Sequence, residues 1–316
     1  MSQPARGRIL LSVTGQDPDH WRRLLEKGYE VVTERAYPVD PSIDYAVVWK
    51  HRPGVLSGLT GLRLLISTGA GVDHIFTDKD LPDAPILRVV ARNLATHMAE
   101  YVVWRVMDHH RQGARYREQQ AGKVWYEASQ TTADEVAVGI MGLGQLGQAA
   151  AKALLALGFR VNGWTRNPRT AEGVATFHGR EGLKDFLAAT DILVVLLPHT
   201  PATEGIIDYA LLRGLRRDNA LGGAVLVNAG RGKLQKEADI LRALDDGTLK
   251  EASLDVFEEE PLSQASPLWT HPRVFITPHA AAASDPEHLA PLMLEQIGRF
   301  ERREPLDNLV DRQTGY

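Results

Sequence analysis

Gly142-Leu143-Gly144-Gln145-Leu146-Gly147 spells G-x-G-x-x-G between an apolar, β-branched stretch at 136–141 and an alanine-rich stretch at 149–157. Strand, glycine turn and helix in that order place backbone N–H groups and the positive end of a helix where a pyrophosphate can sit, and the missing side chains permit close approach. With 28 glycines in 316 residues the bare pattern arises by chance about 0.2 times per chain, so its weight comes from this context. The next strand ends at Trp164-Thr165-Arg166-Asn167-Pro168-Arg169, where an NAD binder places an acid on the ribose 2′-hydroxyl. Here the position is basic. A carboxylate would repel a 2′-phosphate, whereas Arg166, helped by Arg169, can pair with it, so NADP(H) is expected in preference to NAD(H). The same residues argue against a methyltransferase, whose methyl-donor nucleoside also calls for an acid at this strand end.

Three further strand ends each offer an ionisable group. Arg231, in Ala229-Gly230-Arg231-Gly232, follows a strand at 224–228 and falls on the edge where open α/β sheets bind ligands. Asp255-Val256-Phe257-Glu258-Glu259-Glu260-Pro261-Leu262 starts at a second strand end, and Thr277-Pro278-His279 follows a third. Taken singly these read as a surface arginine, a solvated acid run and a structural histidine. Together, on the edge that carries the glycine turn, they are what carbonyl reduction needs. An arginine binds a substrate carboxylate and polarises the neighbouring carbonyl, a histidine delivers a proton to the developing alkoxide, and a carboxylate orients and charges the histidine. No rival site emerges: adjacent His109 and His110 point to different faces of a helix, and neither H-E-x-x-H nor G-x-S-x-G occurs.

The elements that must position these groups alternate between short β-branched runs and helix-period stretches, the pattern of parallel strands joined by crossover helices in an α/β fold. Strands are expected at 9–13, 31–33, 46–49, 64–67 and 86–90, with a helix opened by Asp17-Pro18 between the first two. A long helix is expected from about 96 to 119, and then strands at 136–141, 159–164, 191–197, 224–228, 252–256 and 274–277. A last amphipathic helix after Asp285-Pro286-Glu287 is expected to pack back on the first domain. Domain boundaries fall near 95 and 285. Apolar residues make up 44%, charged residues 24% and aromatics 7%, which rules out disordered, collagenous and coiled-coil chains. A net charge of -4 leaves no electrostatic footprint for nucleic acid. The absence of cysteine excludes disulfides, thiolate nucleophiles and sulfur-built metal sites, and no ligand spacing supports a metal of any kind. Ile9-Leu10-Leu11 is too short an apolar stretch for a signal peptide and Ile192 to Leu197 too short for a membrane helix. A soluble cytoplasmic protein is expected.

Over nearly its whole length the sequence resembles the D-2-hydroxyacid dehydrogenases. The resemblance is carried by 142–147, by Val227-Asn228-Ala229-Gly230-Arg231-Gly232, by Asp255-Val256-Phe257 with Glu260-Pro261-Leu262, and by Thr277-Pro278-His279. Gly69-Ala70-Gly71-Val72-Asp73, Met98-Ala99-Glu100-Tyr101, Ser266-Pro267-Leu268-Trp269 with His271-Pro272-Arg273-Val274, and Val310-Asp311-Arg312 make it most similar to the members that reduce glyoxylate and hydroxypyruvate. The resemblance implies Arg231 for substrate carboxylate and carbonyl binding, His279 as the acid/base, and Glu260, rather than Glu258 or Glu259, as its partner. It implies backbone N–H groups of Ala70 and Gly71 for the carboxylate and Trp49 as a wall of the substrate pocket. It also implies cofactor contacts at Leu197, Pro198, Thr203, Ala229 and Asp255, beside those of the glycine turn and of Thr165, Arg166 and Arg169. Two features depart from the family pattern: Thr165-Arg166 stands where acid-ended members carry Asp, and the stretch 216–223 looks longer than the usual turn, with no function assigned to it from the sequence.

The expectation is therefore two Rossmann-like domains with parallel sheets. Residues 96–285 form an NADP-binding domain inserted in a flavodoxin-like substrate domain built from 1–95 and 286–316, with the nicotinamide in the cleft between them. The implied reaction is NADPH-dependent reduction of a small 2-oxo acid, glyoxylate to glycolate or hydroxypyruvate to D-glycerate, in a homodimer formed through the long helix and the segment around Trp125. The competing reading is a redox-sensing, corepressor-like module on the same fold, which would bind the nucleotide without turnover.

Overall fold

The computed structural model describes residues 6–34, 42–282, 285–313 and 315. The chain divides into two compact units, Met1–Leu94 with Ser284–Tyr316, and Ala95–Ala283. In the first, β1 (Arg8–Val13), β2 (Glu30–Thr33), β3 (Tyr45–Trp49), β4 (Leu64–Ser67) and β5 (Ile86–Arg88) pair in parallel in the order β2-β1-β3-β4-β5. That is the flavodoxin-like order. The central strands are apolar on both faces, as a covered parallel sheet requires: residues 45–48 and 64–67 are all buried. Between β1 and β2, α1 (Pro18–Leu25) begins where the Asp17 side chain accepts the Asp19 N–H at 2.9 Å and Pro18 presets the first turn. It buries Trp21 and Leu25, one turn apart.

The second unit opens on α2 (Arg92–His110), whose residues from Ala95 belong to it, and α3 (Gly113–Ala121). Its sheet holds β6 (Ala137–Met141), β7 (Arg160–Thr165), β8 (Val174–His178), β9 (Ile192–Val195), β10 (Val225–Asn228), β11 (Glu251–Leu254) and β12 (Val274–Ile276). All neighbours pair in parallel in the order β12-β11-β10-β9-β6-β7-β8. The order reverses between β6 and β9, the switch point beyond whose carboxyl ends a doubly wound sheet binds its ligand. In α4 (Gln145–Ala156), Gly147, Ala150, Ala151 and Leu154 are buried, a stripe at spacings of three and four. α5 (Gly179–Ala188), α6 (Tyr209–Arg213) and α7 (Glu237–Asp245) bring Phe186, Leu212, Ile240 and Leu244 into one core with Leu193, Val195, Leu226 and Leu254. The last helix, α8 (Pro286–Glu301), packs within the first unit, where Leu289, Met293 and Ile297 join Ile9, Trp21 and Tyr45. No helix among the described residues is long and apolar enough to cross a membrane.

Each expected strand lies within two residues of an observed one. Two elements differ. The long helix is broken at Gln112, which takes a left-handed conformation (φ 59), and the chain then passes the carboxylate of Asp108 at Gly113, where a Cβ would lie 2.0 Å from Asp108 Oδ1. Asp108 is in turn gripped by Arg117 at 2.8 and 2.9 Å. Strand β8 is additional to the expected set, since Val174-Ala175-Thr176-Phe177-His178 is a partly exposed edge with little apolar contrast. Residues 216–223 prove to be an architectural turn. Arg216 pairs with the fully buried Asp191 (Nε to Oδ1, 2.6 Å), and the Asn219 side chain bonds the backbone of Arg216, Leu221 and Gly223.

Candidate active site

The glycine turn leaves β6 and enters α4, and its three glycines meet three different demands. Gly142 has φ +104, and a Cβ there would come 2.9 Å from the carbonyl oxygen of Leu196. At Gly147 a Cβ would lie 2.0 Å from the carbonyl oxygen of Gly142, so only glycine lets the helix pack onto its own entry turn. Gly144 faces open space: a Cβ there would meet nothing within 4 Å, so this is the side on which a phosphate can approach the backbone at the start of α4. The side chain of Leu143 is buried against Gly163 and offers a ligand only its backbone, whereas Gln145 is exposed and Leu146 half-buried.

The neighbouring strand ends carry the remaining cofactor candidates. Beyond β7, Thr165 Oγ1 donates to the carbonyl of Asn167 at 2.7 Å, Arg166 is exposed, and Arg169 donates to the carbonyl of Leu143. That contact places the second guanidinium of the basic pair against the glycine turn itself. Beyond β9, Leu197 is buried, and Thr203 Oγ1 closes the following loop by donating to the carbonyl of Pro198 at 2.7 Å. Ala229 is buried beside this loop, and its amide donates to Val195 at 3.2 Å.

Adjacent strands β10, β11 and β12 send Arg231, Glu260 and His279 to this same carboxyl edge. Glu260 Oε2 lies 2.8 Å from His279 Nδ1. A carboxylate can only accept there, so the network assigns the proton to Nδ1 and leaves Nε2 as the nitrogen that exchanges one. The run of three acids sorts itself by contact. Glu258 Oε1 accepts the N–H of Glu237 at the start of α7 at 2.6 Å, and the Glu237 carboxylate returns the contact to the N–H of Glu258 at 2.8 Å, while Glu260 turns to the histidine. Arg231 Nη1 donates to the carbonyl of Gly230 at 2.8 Å. Its loop is pressed on the Glu260 loop, since a Cβ on Gly232 would lie 1.7 Å from the carbonyl oxygen of Phe257.

The side chains that hold these loops are not evident from the sequence in that role. The buried carboxylate of Asp255 accepts from Thr277 Oγ1 (2.6 Å), Ala280 N (2.8 Å) and Ala281 N (3.0 Å), so it anchors the turn that carries His279. Tyr101 Oη donates to Thr277 Oγ1 at 2.8 Å, and burial, with the nearby Asp255 charge, pushes the phenol up to about 12. Asn228 Nδ2 donates to Gln235 Oε1 at 2.8 Å, and Gln235 Nε2 donates to the carbonyl of Val256 at 2.9 Å, tying the exits of β10 and β11 together. Tyr101, Thr277 and Asn228 stand inside the family motifs; Gln235 and Glu237 carry no sequence signal. Among the described residues no group of three His, Asp or Glu side chains could hold a metal.

In the first unit, Trp49 ends β3 and its ring packs on Gly69, where a Cβ would lie 2.1 Å from it. The loop after β4 is anchored by its carbonyls: Ser67 Oγ donates to Gly69 O (3.1 Å) or Gly71 O (3.4 Å), and Arg88 Nη1 donates to Ala70 O (3.3 Å). Across a planar trans peptide the N–H points opposite the preceding carbonyl, so the amides of Ala70 and Gly71 are turned away from those anchors.

The model of the D-isomer specific 2-hydroxyacid dehydrogenase NAD-binding domain matches residues 103–281. Glyoxylate/hydroxypyruvate reductase A of Salmonella heidelberg (strain SL476) is 38% identical over 304 residues, 94% of this chain and 96% of that one. Among solved structures, an NADPH-dependent glyoxylate/hydroxypyruvate reductase from Sinorhizobium meliloti, in complex with NADP and sulfate, superposes with a TM-score of 0.91 at 44% identity, covering 98% of this chain and 100% of its own. A D-isomer specific 2-hydroxyacid dehydrogenase from Xanthobacter autotrophicus Py2, in complex with NADPH and MES, gives 0.93 at 39%, covering 99% and 100%. The chain belongs to the D-isomer specific 2-hydroxyacid dehydrogenase family.

Proposed function

We propose that this protein is an oxidoreductase that uses NADPH to reduce a small 2-oxo acid, glyoxylate to glycolate or hydroxypyruvate to D-glycerate. The observation that carries the reading is the His279–Glu260 pair, set beside the Arg231 loop on the sheet edge that bears the glycine turn. The names and bound cofactors of the relatives agree with it. The residues present fit the dinucleotide: the open side of Gly144 admits a pyrophosphate at the start of α4, and basic Arg166 and Arg169 suit a 2′-phosphate. When bound, NADPH supplies the hydride that adds to the carbonyl carbon. Arg231 pairs with the substrate carboxylate and polarises the carbonyl beside it. His279 gives its Nε2 proton to the carbonyl oxygen, and Glu260 holds the ring and balances its charge. In the first unit, Trp49 and the amides of Ala70 and Gly71 contact the acid. Nε2 is reprotonated from solvent, and the product is the 2-hydroxy acid.

The protein is proposed to act as a cytoplasmic homodimer. Exposed Trp104, Val124, Trp125 and Tyr126 support association through residues 104–126, since so many large apolar side chains seldom face water on a monomer. The test of function is loss of reduced-nicotinamide absorbance when purified protein, NADPH and glyoxylate or hydroxypyruvate are mixed, with NADH in parallel. Rapid loss with NADPH supports the reading. Tight NADPH binding without turnover overturns it in favour of a nucleotide sensor.

A further inference from the structure

We propose that His74, acting with Ser67, is a positioning residue for substrate binding: it fastens the loop of Ala70 and Gly71 to the exit of β3 that carries Trp49. The inference rests on the reading that these three residues contact the substrate.

The imidazole of His74 reaches both segments. Its Nδ1 accepts the backbone N–H of Lys50 at 3.3 Å, and its Nε2 lies 3.2 Å from Ser67 Oγ. The ring meets Trp49 edge to face, with centroids 4.8 Å apart at 67°. The protons fit one arrangement. Because Nδ1 accepts, neutral His74 carries its proton on Nε2 and donates it to Ser67 Oγ. That oxygen also accepts the N–H of Gly69 at 3.2 Å, which leaves its own hydrogen for the carbonyl of Gly69 or of Gly71. The imidazole thus chooses the direction of the serine hydroxyl, whose one hydrogen holds either the Gly69 carbonyl, opposite which the Ala70 amide turns outward, or the Gly71 carbonyl farther along the same loop.

The other end of the imidazole is equally specific. Lys50 takes a left-handed conformation, φ 43, unfavourable for a residue with a Cβ. Its amide is held by His74 directly after Trp49, whose indole lies over Gly69. Losing the imidazole would let the β3 exit and the 69–71 loop move independently while the strands beneath, buried along 45–48 and 64–67, stay in place.

The test is steady-state kinetics of His74→Leu, which keeps bulk and removes both bonds. The expected result is a KM for the 2-oxo acid raised about tenfold, with kcat and the KM for NADPH nearly unchanged. Ser67→Ala should shift KM in the same direction, and the double variant should be no worse than His74→Leu, because both act through one network. His74→Gln, whose amide can again donate to Ser67 Oγ, should recover part of the loss. A merely structural histidine would lower the melting temperature without this split. Trp49→Ala separates the two levels of the claim. If it leaves the KM for the 2-oxo acid unchanged, the assignment of Trp49 to the substrate fails. If it raises that KM while folded His74→Leu or His74→Gln retains the wild-type value, the role of His74 is overturned. Should His74→Leu not fold, wild-type KM values in both His74→Gln and Ser67→Ala overturn it equally.

Discussion

Glu260 Oε2 lies 2.8 Å from His279 Nδ1, and the histidine it holds stands at φ 53, a conformation that a residue with a side chain adopts only where its surroundings fix it. The fixing comes from Asp255. Its carbonyl accepts the amide of His279 at 2.7 Å, and its carboxylate accepts the amides of the next two residues. Two acids that follow β11 therefore have separate roles, Asp255 setting the backbone of the histidine and Glu260 setting its ring.

Glu260→Gln separates orientation from charge. The amide can still meet Nδ1, but it no longer balances an imidazolium, so proton delivery should suffer while the fold stays intact. The expected outcome is a kcat about a hundredfold lower with a near-wild-type melting temperature. A kcat within error of wild type under conditions where chemistry limits the rate would show that the pair has no part in proton transfer.

Thr277→Val interrupts the relay from Tyr101 to Asp255. It leaves a buried phenol and a buried carboxylate each short of a partner, which should cost about 2 kcal/mol in urea unfolding. Because the same bonds hold the turn of His279, kcat should fall with it. Loss of stability with unchanged kcat would mean that the turn does not depend on the relay.

Arg166→Ala addresses the cofactor. If the guanidinium pairs with a 2′-phosphate, the KM for NADPH should rise by about tenfold or more, the scale of a charged hydrogen bond, while NADH kinetics stay close to wild type. Equal changes with both cofactors would remove the phosphate argument.

The covered strands were legible in the sequence because parallel strands buried on both faces, such as Ile192–Val195, are continuous apolar runs, whereas the partly exposed edge β8 gave no such run. The site was legible at the level of strand ends: Arg231, Glu260 and His279 could be sent to one edge without knowing a single distance. Contacts made between loops were hidden. Spacing could not choose among Glu258, Glu259 and Glu260, because only the approach of α7 shows that Glu258 serves Glu237. Arg105 lay hidden too. It falls on the buried side of α2, where its guanidinium stacks 3.6 Å from the ring centre of Phe275 and pairs with Asp108, an arrangement that depends on a strand far away in sequence.

Glu237 yields a pH-dependent prediction. Burial is the main cause that pushes its carboxyl above the ordinary value; the Glu258 charge adds to the rise, and hydrogen bonds from Glu258 N–H and Gln235 oppose it. A folded value above the unfolded one means that the folded chain prefers the protonated acid. Its contribution to stability is therefore fully present below the unfolded value of about 4.3 and is lost as pH rises through the raised folded value. Glu237→Gln keeps an oxygen to accept the N–H of Glu258 and removes the charge that burial and Glu258 penalise. The variant should melt above wild type at pH 7, and the difference should shrink toward pH 4, where wild-type Glu237 is itself largely protonated. Melting curves of the two proteins at both pH values check the sign. A variant that melts at or below wild type at pH 7 would mean that the carboxylate's bonds to the Glu258 loop outweigh the cost of its charge.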